Sequence, residues 1–238
     1  MRSFLFCSTV FLLAGSVAAA QTTESTPAVG AATPAKPHYW GVQIGYSNHH
    51  LSGSEVDYFT RQSTGYYGNY SAENRPAEAV TVGVLARQQL HGVLWLQEEL
   101  NYVRKGGQMA GGVFSDQDPI SMHYLQIPLL LHLQVPETGQ LAMFVQGGGV
   151  LNFALNERKT NPNYYSSGNT YTNNNIVPGV ALGGGLLWKQ SERLAFSLTG
   201  RYSPDLGDFF VRSYNGTDYT LRHQGFTITG GILFGAKQ

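Results

Sequence analysis

The chain has 238 residues, with 15 basic and 15 acidic side chains, 29 glycines and 14 tyrosines. This balanced charge gives no reason to expect nucleic-acid binding, which requires clustered Lys and Arg. Few charges with many Gly and Tyr suit a β-rich wall that meets both lipid and water, whereas a helical protein would contain more Ala, Leu, Glu and Lys.

The N-terminus has the pattern of a secretory signal. Arg2 precedes an apolar run from Phe4 to Leu13, and small residues follow up to Ala20. This pattern predicts a signal peptide over residues 1–20, cleaved after Ala20. The apolar run is too short for a transmembrane helix, which needs about 20 apolar residues. Because the only cysteine is Cys7, we expect no thiol chemistry in the mature chain, whose net charge would be 14 minus 15, or −1.

The next segment, residues 21–38, is rich in Thr, Ala, Pro and Ser. It has too few apolar side chains to form a core, so we expect a disordered periplasmic leader. A β-barrel domain is predicted from residue 39 to residue 238.

Strand patterns begin at residue 39. In residues 39–47, Trp40, Val42, Ile44 and Tyr46 alternate with small or polar residues, the period-2 pattern of a half-buried strand. Seven further strands are predicted at 78–87, 93–104, 120–134, 141–153, 177–188, 194–203 and 225–235.

The lengths of the connectors predict how these strands are arranged. Short turns at 87–93, 135–141 and 188–194 alternate with long connectors at 48–77, 105–119, 154–176 and 204–224. This alternation is typical of bacterial outer-membrane barrels, which have short periplasmic turns and longer extracellular loops. Four long structureless loops would be unusual in a soluble domain. The sequence therefore predicts an all-β, eight-stranded antiparallel up-and-down transmembrane β-barrel with both termini on the periplasmic side.

Aromatic residues recur near the predicted strand ends, where interfacial girdles are found. Near the periplasmic edge lie Trp40, Trp188 and Phe234. Near the outer edge lie Tyr46, Tyr102, Tyr202 and Phe226.

The alternation also predicts a polar lumen. Its expected members are Gln43, Arg87, Gln97, Glu99, Asn101, Gln126, Gln146 and Arg201. An eight-stranded barrel is just wide enough for side chains to fill it, so a packed plug is favoured over a water channel. A buried charge requires an opposite partner, and we predict that Glu99 pairs with Arg201. Glu98 should point at lipid unless a bulge reverses it or the lipid is thin there.

Patterns for catalysis or metal binding are weak. The seven histidines form no H-E-x-x-H motif, and His49 and His50 would point in opposite directions in a strand. We therefore expect no metal or cofactor. Ser121 and His123 would share one strand face, as a hydrolase requires, but no carboxylate is evident beside them.

Two of the predicted outer loops are rich in Tyr, Asn, Ser and Gly, over residues 58–74 and 161–175. Such residues offer neutral hydrogen-bonding contact area for an extracellular ligand or protein. Solvated disorder without a binding role is the alternative.

Two runs of residues support a resemblance. Residues 95–106 (WLQEELNYVRKG) and 124–131 (YLQIPLLL) resemble the third and fourth strands of the PorT-type outer-membrane β-barrel family of Bacteroidetes. That family usually has Glu at the position of Gln126 and Lys or Arg near His132. The resemblance implies a small outer-membrane barrel. Founding members of that family assist gliding and protein secretion, but most relatives have no assigned role. The resemblance therefore does not predict a role in secretion for this chain.

We therefore expect a porin-like monomer in the cell outer membrane, in contact with lipid, with a structural or binding role and no catalysis. Two alternatives remain. One is an outer-membrane hydrolase active at the barrel rim. The other is a soluble secreted barrel of the lipocalin kind, which would place apolar faces inward.

Overall fold

A computed structural model describes residues 37–65, 73–110, 120–135, 139–155 and 170–235. The predicted signal, and all but the last two residues of the predicted leader, lie outside the described residues. The described part forms one helix, α1 (Ser54–Gly65), and ten strands: β1 (His38–Ser52), β2 (Glu73–His91), β3 (Leu94–Ala110), β4 (Ile120–Gln134), β5 (Leu141–Ala154), β6 (Thr170–Asn173), β7 (Ile176–Ser191), β8 (Leu194–Tyr202), β9 (Phe210–Tyr214) and β10 (Thr217–Gly235). No helix in these ranges is both long enough and apolar enough to cross a membrane.

Eight of the strands close into a barrel in the order β1-β2-β3-β4-β5-β7-β8-β10. All neighbours are antiparallel, and β1 pairs with β10 from Tyr39 opposite Gly235 to Ser52 opposite Arg222. Closure leaves no free sheet edge, so the backbone groups of the wall are paired within the chain, as a membrane requires. The predicted eight-stranded antiparallel up-and-down barrel is confirmed.

The two ends of the barrel differ in their connections. The β2–β3, β4–β5 and β7–β8 turns lie at the same end as Tyr39 and Gly235, which we call the turn end. The four long connectors lie at the opposite end, which we call the loop end.

The long connectors were predicted to be structureless, but they contain regular secondary structure. β1 continues past residue 47 to Ser52, and α1 follows it within the connector. β10 begins at Thr217 and pairs with β9 through a turn at Asn215 and Gly216, whose φ angles are 50° and 75°. Asn-Gly favours such a turn because both residues tolerate positive φ. β6 pairs with β9 and extends this small sheet.

The two faces of the wall have opposite character. Large apolar side chains are exposed on the outer face, including Val42, Ile44, Val80, Val82, Val84, Leu129, Leu131, Val145, Leu182, Leu198 and Ile228. The inner face carries most of the buried polar and charged residues. A soluble lipocalin-like barrel has the reverse arrangement, so that alternative is wrong.

Two apolar clusters lie inside the barrel, one toward each end. The turn-end cluster contains Tyr39, Leu85, Trp95, Ala142, Phe144, Leu187, Ala195 and Leu233. The loop-end cluster contains Leu51, Val103, Met122, Tyr124, Val177, Phe209, Phe210 and Leu221. Polar side chains and a smaller apolar cluster of Leu130, Val150 and Ala181 fill the lumen between them.

Candidate functional site

Glu99 is the centre of the polar network in the lumen. Its carboxylate accepts two hydrogen bonds from Arg201, at 2.6 and 3.0 Å, and is fully buried. Gln43, Gln97 and Asn101 donate to the same carboxylate at 2.9, 2.6 and 2.8 Å. A buried carboxylate is stable only when its charge is compensated and its lone pairs accept hydrogen bonds, and both conditions hold here.

Strand alternation explains why these side chains meet. Gln97, Glu99 and Asn101 are alternate residues of β3 and therefore share its inner face. Gln43 comes from β1 and Arg201 from β8, across the barrel. The lumen of an eight-stranded barrel is narrow enough for an arginine to span it.

The other sequence-predicted lumen residues are also buried. Arg87 donates to Gln134 at 2.7 Å and stacks over the Trp95 and Phe144 rings. Gln126 donates to Asn152 at 2.9 Å. Gln146 is inward as well, but its amide has no hydrogen-bond partner among the described residues.

A second charged cluster lies nearer the loop end and was not predicted. Lys105 binds Asp205 at 2.8 Å, and both side chains are almost fully buried. His223 lies 3.3 Å from the other oxygen of Asp205, and Asn152 donates to Asp205 at 3.1 Å. Phe209 stacks on His223, with ring centroids 4.0 Å apart. Lys105 continues the inward set of β3, which a longer predicted strand would have included.

A third ion pair lies among the long connectors. Arg212 of β9 donates to both oxygens of Glu55, in the first turn of α1, at 2.9 to 3.1 Å. The guanidinium lies 5.1 Å from the Tyr58 ring centre and 4.6 Å from that of Tyr219. These contacts join the helix to the β9–β10 hairpin.

The aromatic residues predicted for the interfaces lie on the outer face. The Trp40 ring contacts the Phe234 ring near the turn end at a tilt of 33°, with ring centroids 4.8 Å apart, and Trp188 is exposed at the same end. At the other end of the wall, Tyr202 lies beside Phe226 at 6.5 Å, and Tyr46 and Tyr102 are also exposed.

Glu98 is exposed on the outer face of β3. The β3–β4 ladder lacks the pairs at Pro128 and Ile127, and Pro128 has no N–H to donate. The register is nevertheless the same on both sides of this gap, with Glu98 opposite Leu129 and Asn101 opposite Gln126. No bulge therefore turns Glu98 into the lumen.

Ser121 and His123 share the outer face of β4, and each contacts a different residue of β3. Ser121 accepts a hydrogen bond from Arg104 at 2.6 Å, and His123 lies 2.5 Å from the Tyr102 hydroxyl. His49 is buried whereas His50 is only partly buried, on opposite faces of β1. The described ranges contain no group of three metal-ligating side chains.

The Tyr- and Asn-rich loops are only partly described. Residues 66–72 and 161–169 lie outside the described residues, and they make up half of the two predicted binding loops. The described remainder of the first loop includes the last eight residues of α1.

An antiparallel barrel with an apolar outer face and an ion-paired lumen defines a transmembrane protein of the bacterial outer membrane. The chain belongs to the family described as outer membrane protein beta-barrel domain, whose sequence model matches residues 19–211. The protein is therefore an outer-membrane protein.

Solved structures support the same fold. The crystal structure of the outer membrane protein OprG from Pseudomonas aeruginosa is similar, with 12% identity and a TM-score of 0.56 over 85% of this chain and 98% of that one. The solid-state NMR structure of the outer membrane protein AlkL in lipid bilayers has 13% identity and a TM-score of 0.53 over 91% and 98%. At these identities the likeness shows the fold alone. No curated protein matches the sequence.

Proposed function

We propose that the protein is a binding protein anchored in the outer membrane by its barrel, with a closed lumen and with its working surface at the loop end, outside the cell. The Glu55–Arg212 ion pair between the Tyr58 and Tyr219 rings is the observation that carries this proposal. It holds a helix and a hairpin together beyond the barrel wall. A surface fixed in advance loses less conformational freedom when a partner binds.

The lumen side of the proposal rests on two ion pairs that cross the barrel. Glu99 of β3 pairs with Arg201 of β8, and Lys105 of β3 pairs with Asp205 in the connector that follows β8. A pore would need water between such groups, whereas these are in direct contact. We expect single-channel recordings in planar bilayers to give no conductance above that of the lipid alone. A steady conductance would contradict the closed lumen.

Binding at the loop end is tested with cells that display the parent or the Arg212→Ala variant. These cells are applied to arrays of immobilised polysaccharides and extracellular proteins. We expect the parent to bind at least one class of molecule and the variant to lose that binding. Arg193→Ala, at the turn end, is the matched control. Absence of binding by the parent would leave the barrel with a structural role only, and equal binding by parent and Arg212→Ala would contradict a binding surface that depends on the Glu55–Arg212 pair.

No catalysis is part of this proposal. Ser121 accepts a hydrogen bond from Arg104, and His123 lies at hydrogen-bond distance from the Tyr102 hydroxyl, so each side chain is engaged by a neighbouring residue of β3. We expect purified protein to hydrolyse neither lipids nor peptides. An activity that Ser121→Ala removes would instead support the rim-active hydrolase.

We also propose that the chain is a PorT-type member and that it is exported with its first 20 residues removed. The runs 95–106 and 124–131 support the first point, and the charged, apolar and small-residue order of residues 1–20 supports the second. The mass of the mature protein tests cleavage, since we expect the chain to begin at Gln21. Occurrence of the gene beside gliding or secretion genes would test the PorT-type relation.

A further inference from the structure

A group of four polar side chains faces outward from β3 and β4 at the loop end of the wall. Arg104 lies two residues beyond Tyr102 on the outer face of β3, and His123 is its partner across the ladder to β4. Ser121 lies one step farther from the membrane on the same face of β4. Toward the membrane centre the outer face of both strands becomes largely apolar. The group therefore lies at the level where lipid headgroups begin.

Hydrogen bonds hold these side chains in place. Arg104 donates from Nε to the Ser121 hydroxyl at 2.6 Å, and its two Nη atoms make no hydrogen bond to a described residue. The Tyr102 hydroxyl lies 2.5 Å from Nδ1 of His123, and the two rings stack with centroids 5.7 Å apart. A cation and three polar groups thus form one small surface on the wall.

The lack of an ion pair distinguishes Arg104 from the three other arginines whose side chains are described at this end. Arg75 pairs with Glu73, Arg212 with Glu55, and Arg222 with Asp208. Arg104 is exposed and has no ion pair with a carboxylate of the described residues. The acidic residue on the adjacent strand, Glu78, contacts Tyr46 on the far side of β2 instead.

We propose that Tyr102, Arg104, Ser121 and His123 bind the phosphate of a phosphorylated glycolipid in the outer leaflet. A planar guanidinium matches the oxygens of a phosphate, and hydroxyl and imidazole groups add hydrogen bonds. Basic side chains at the membrane surface attract anionic headgroups in the same way. The outer leaflet is assigned because the loop end is proposed to lie outside the cell, so this inference rests on the proposed function.

The test uses the purified full-length protein in uncharged detergent micelles. Lipid A, lipid A without its phosphates, and inorganic phosphate are added separately, and native mass spectrometry measures the fraction of protein with bound lipid. We expect the parent to retain phosphorylated lipid A about tenfold better than the dephosphorylated form, the lower end of the effect of a hydrogen bond to a charged group. Arg104→Gln should remove this preference. Arg193→Gln, with an exposed arginine at the turn end, should keep it.

Two further variants guard against a folding defect. Arg104→Lys keeps a point charge without the planar fork, so we expect it to fold and to retain only part of the preference. Arg212→Ala should keep the lipid preference in full, which separates failure of this site from failure of the proposed loop-end binding. The site is refuted by equal retention of the two lipids, by the same loss in Arg193→Gln, or by full displacement with an equal concentration of inorganic phosphate.

Discussion

Glu98 and Glu99 are neighbours in β3, yet their carboxyl groups lie in opposite environments. Glu99 faces the lumen and accepts five hydrogen bonds, two of them from Arg201. Glu98 faces outward between Ala86 and Leu129, and no described residue makes a hydrogen bond or ion pair with it. The charge of a glutamate is therefore neutralised by an ion pair on the inner face of the wall but not on the outer face.

This difference shows how the barrel divides its polar and apolar interactions. In the lumen, charges are tolerated because side chains from across the barrel reach them. On the outer face each residue has only its strand neighbours and lipid, so apolar side chains are favoured there. The inner face thus contributes ion pairs and hydrogen bonds between particular residues, while the outer face contributes apolar contact with lipid.

The largest expected effect is loss of the lumen pair. Glu99→Gln or Arg201→Met alone leaves the other charge buried without compensation, and we expect each to lower the free energy of unfolding by about 3–5 kcal/mol. Removing both should lower it by less than the sum. Folding titrations in lipid vesicles measure the complete double-mutant cycle. Strictly additive losses would mean that the two side chains do not interact.

A charge added to the outer face should have the next largest effect. Leu198 is exposed on β8, whereas its neighbour Thr199 is buried in the lumen. Leu198→Arg should lower stability in lipid by about 2–4 kcal/mol, the range for arginine near the membrane midplane. Thr199→Val, which keeps the shape of the side chain, is the control for the inner face. If Leu198→Arg instead released a stable protein into the soluble fraction, the lipid-facing assignment would fail.

The smallest effect is expected for Glu98 itself. Glu98→Leu replaces a lipid-exposed carboxyl with an apolar side chain, and we expect stability in lipid to rise by about 1 kcal/mol, since acidic residues are less costly there than basic ones. Glu99→Leu in the same assay should be strongly destabilising. A loss of stability for Glu98→Leu would mean that Glu98 has a partner on the outer face.

Strand alternation made much of the lumen predictable. Side chains alternate between the two faces of a strand, so a residue an odd number of positions from a lipid-facing leucine points inward. Counting from Leu94 therefore directed Glu99 inward, and counting from Leu194 directed Arg201 inward. The narrow lumen implied that the two side chains could meet. Alternation also directed Glu98 outward, with only the possibility of a bulge left open.

The loop end was less predictable because its contacts come from connectors. Asp205 lies between β8 and β9, where no period indicates which way a side chain points, so its pairing with Lys105 was missed. The Glu55–Arg212 pair depends on a helix docking against a hairpin far along the chain. One signal was available: Asn215-Gly216 is a typical hairpin turn, and it would have predicted the β9–β10 ribbon.

The proposed binding role requires the loop end to lie outside the cell, and tag accessibility tests this directly. Protease-sensitive tags inserted after Gly68, after Gly168 and after Gly139 are expressed in separate strains, and protease is added to intact cells. Gly139 lies in the β4–β5 turn at the turn end, whereas the other two positions lie in long connectors outside the described residues. We predict cleavage after Gly68 and Gly168 and protection after Gly139. Equal protection at all three positions, or cleavage at Gly139 alone, would contradict the account.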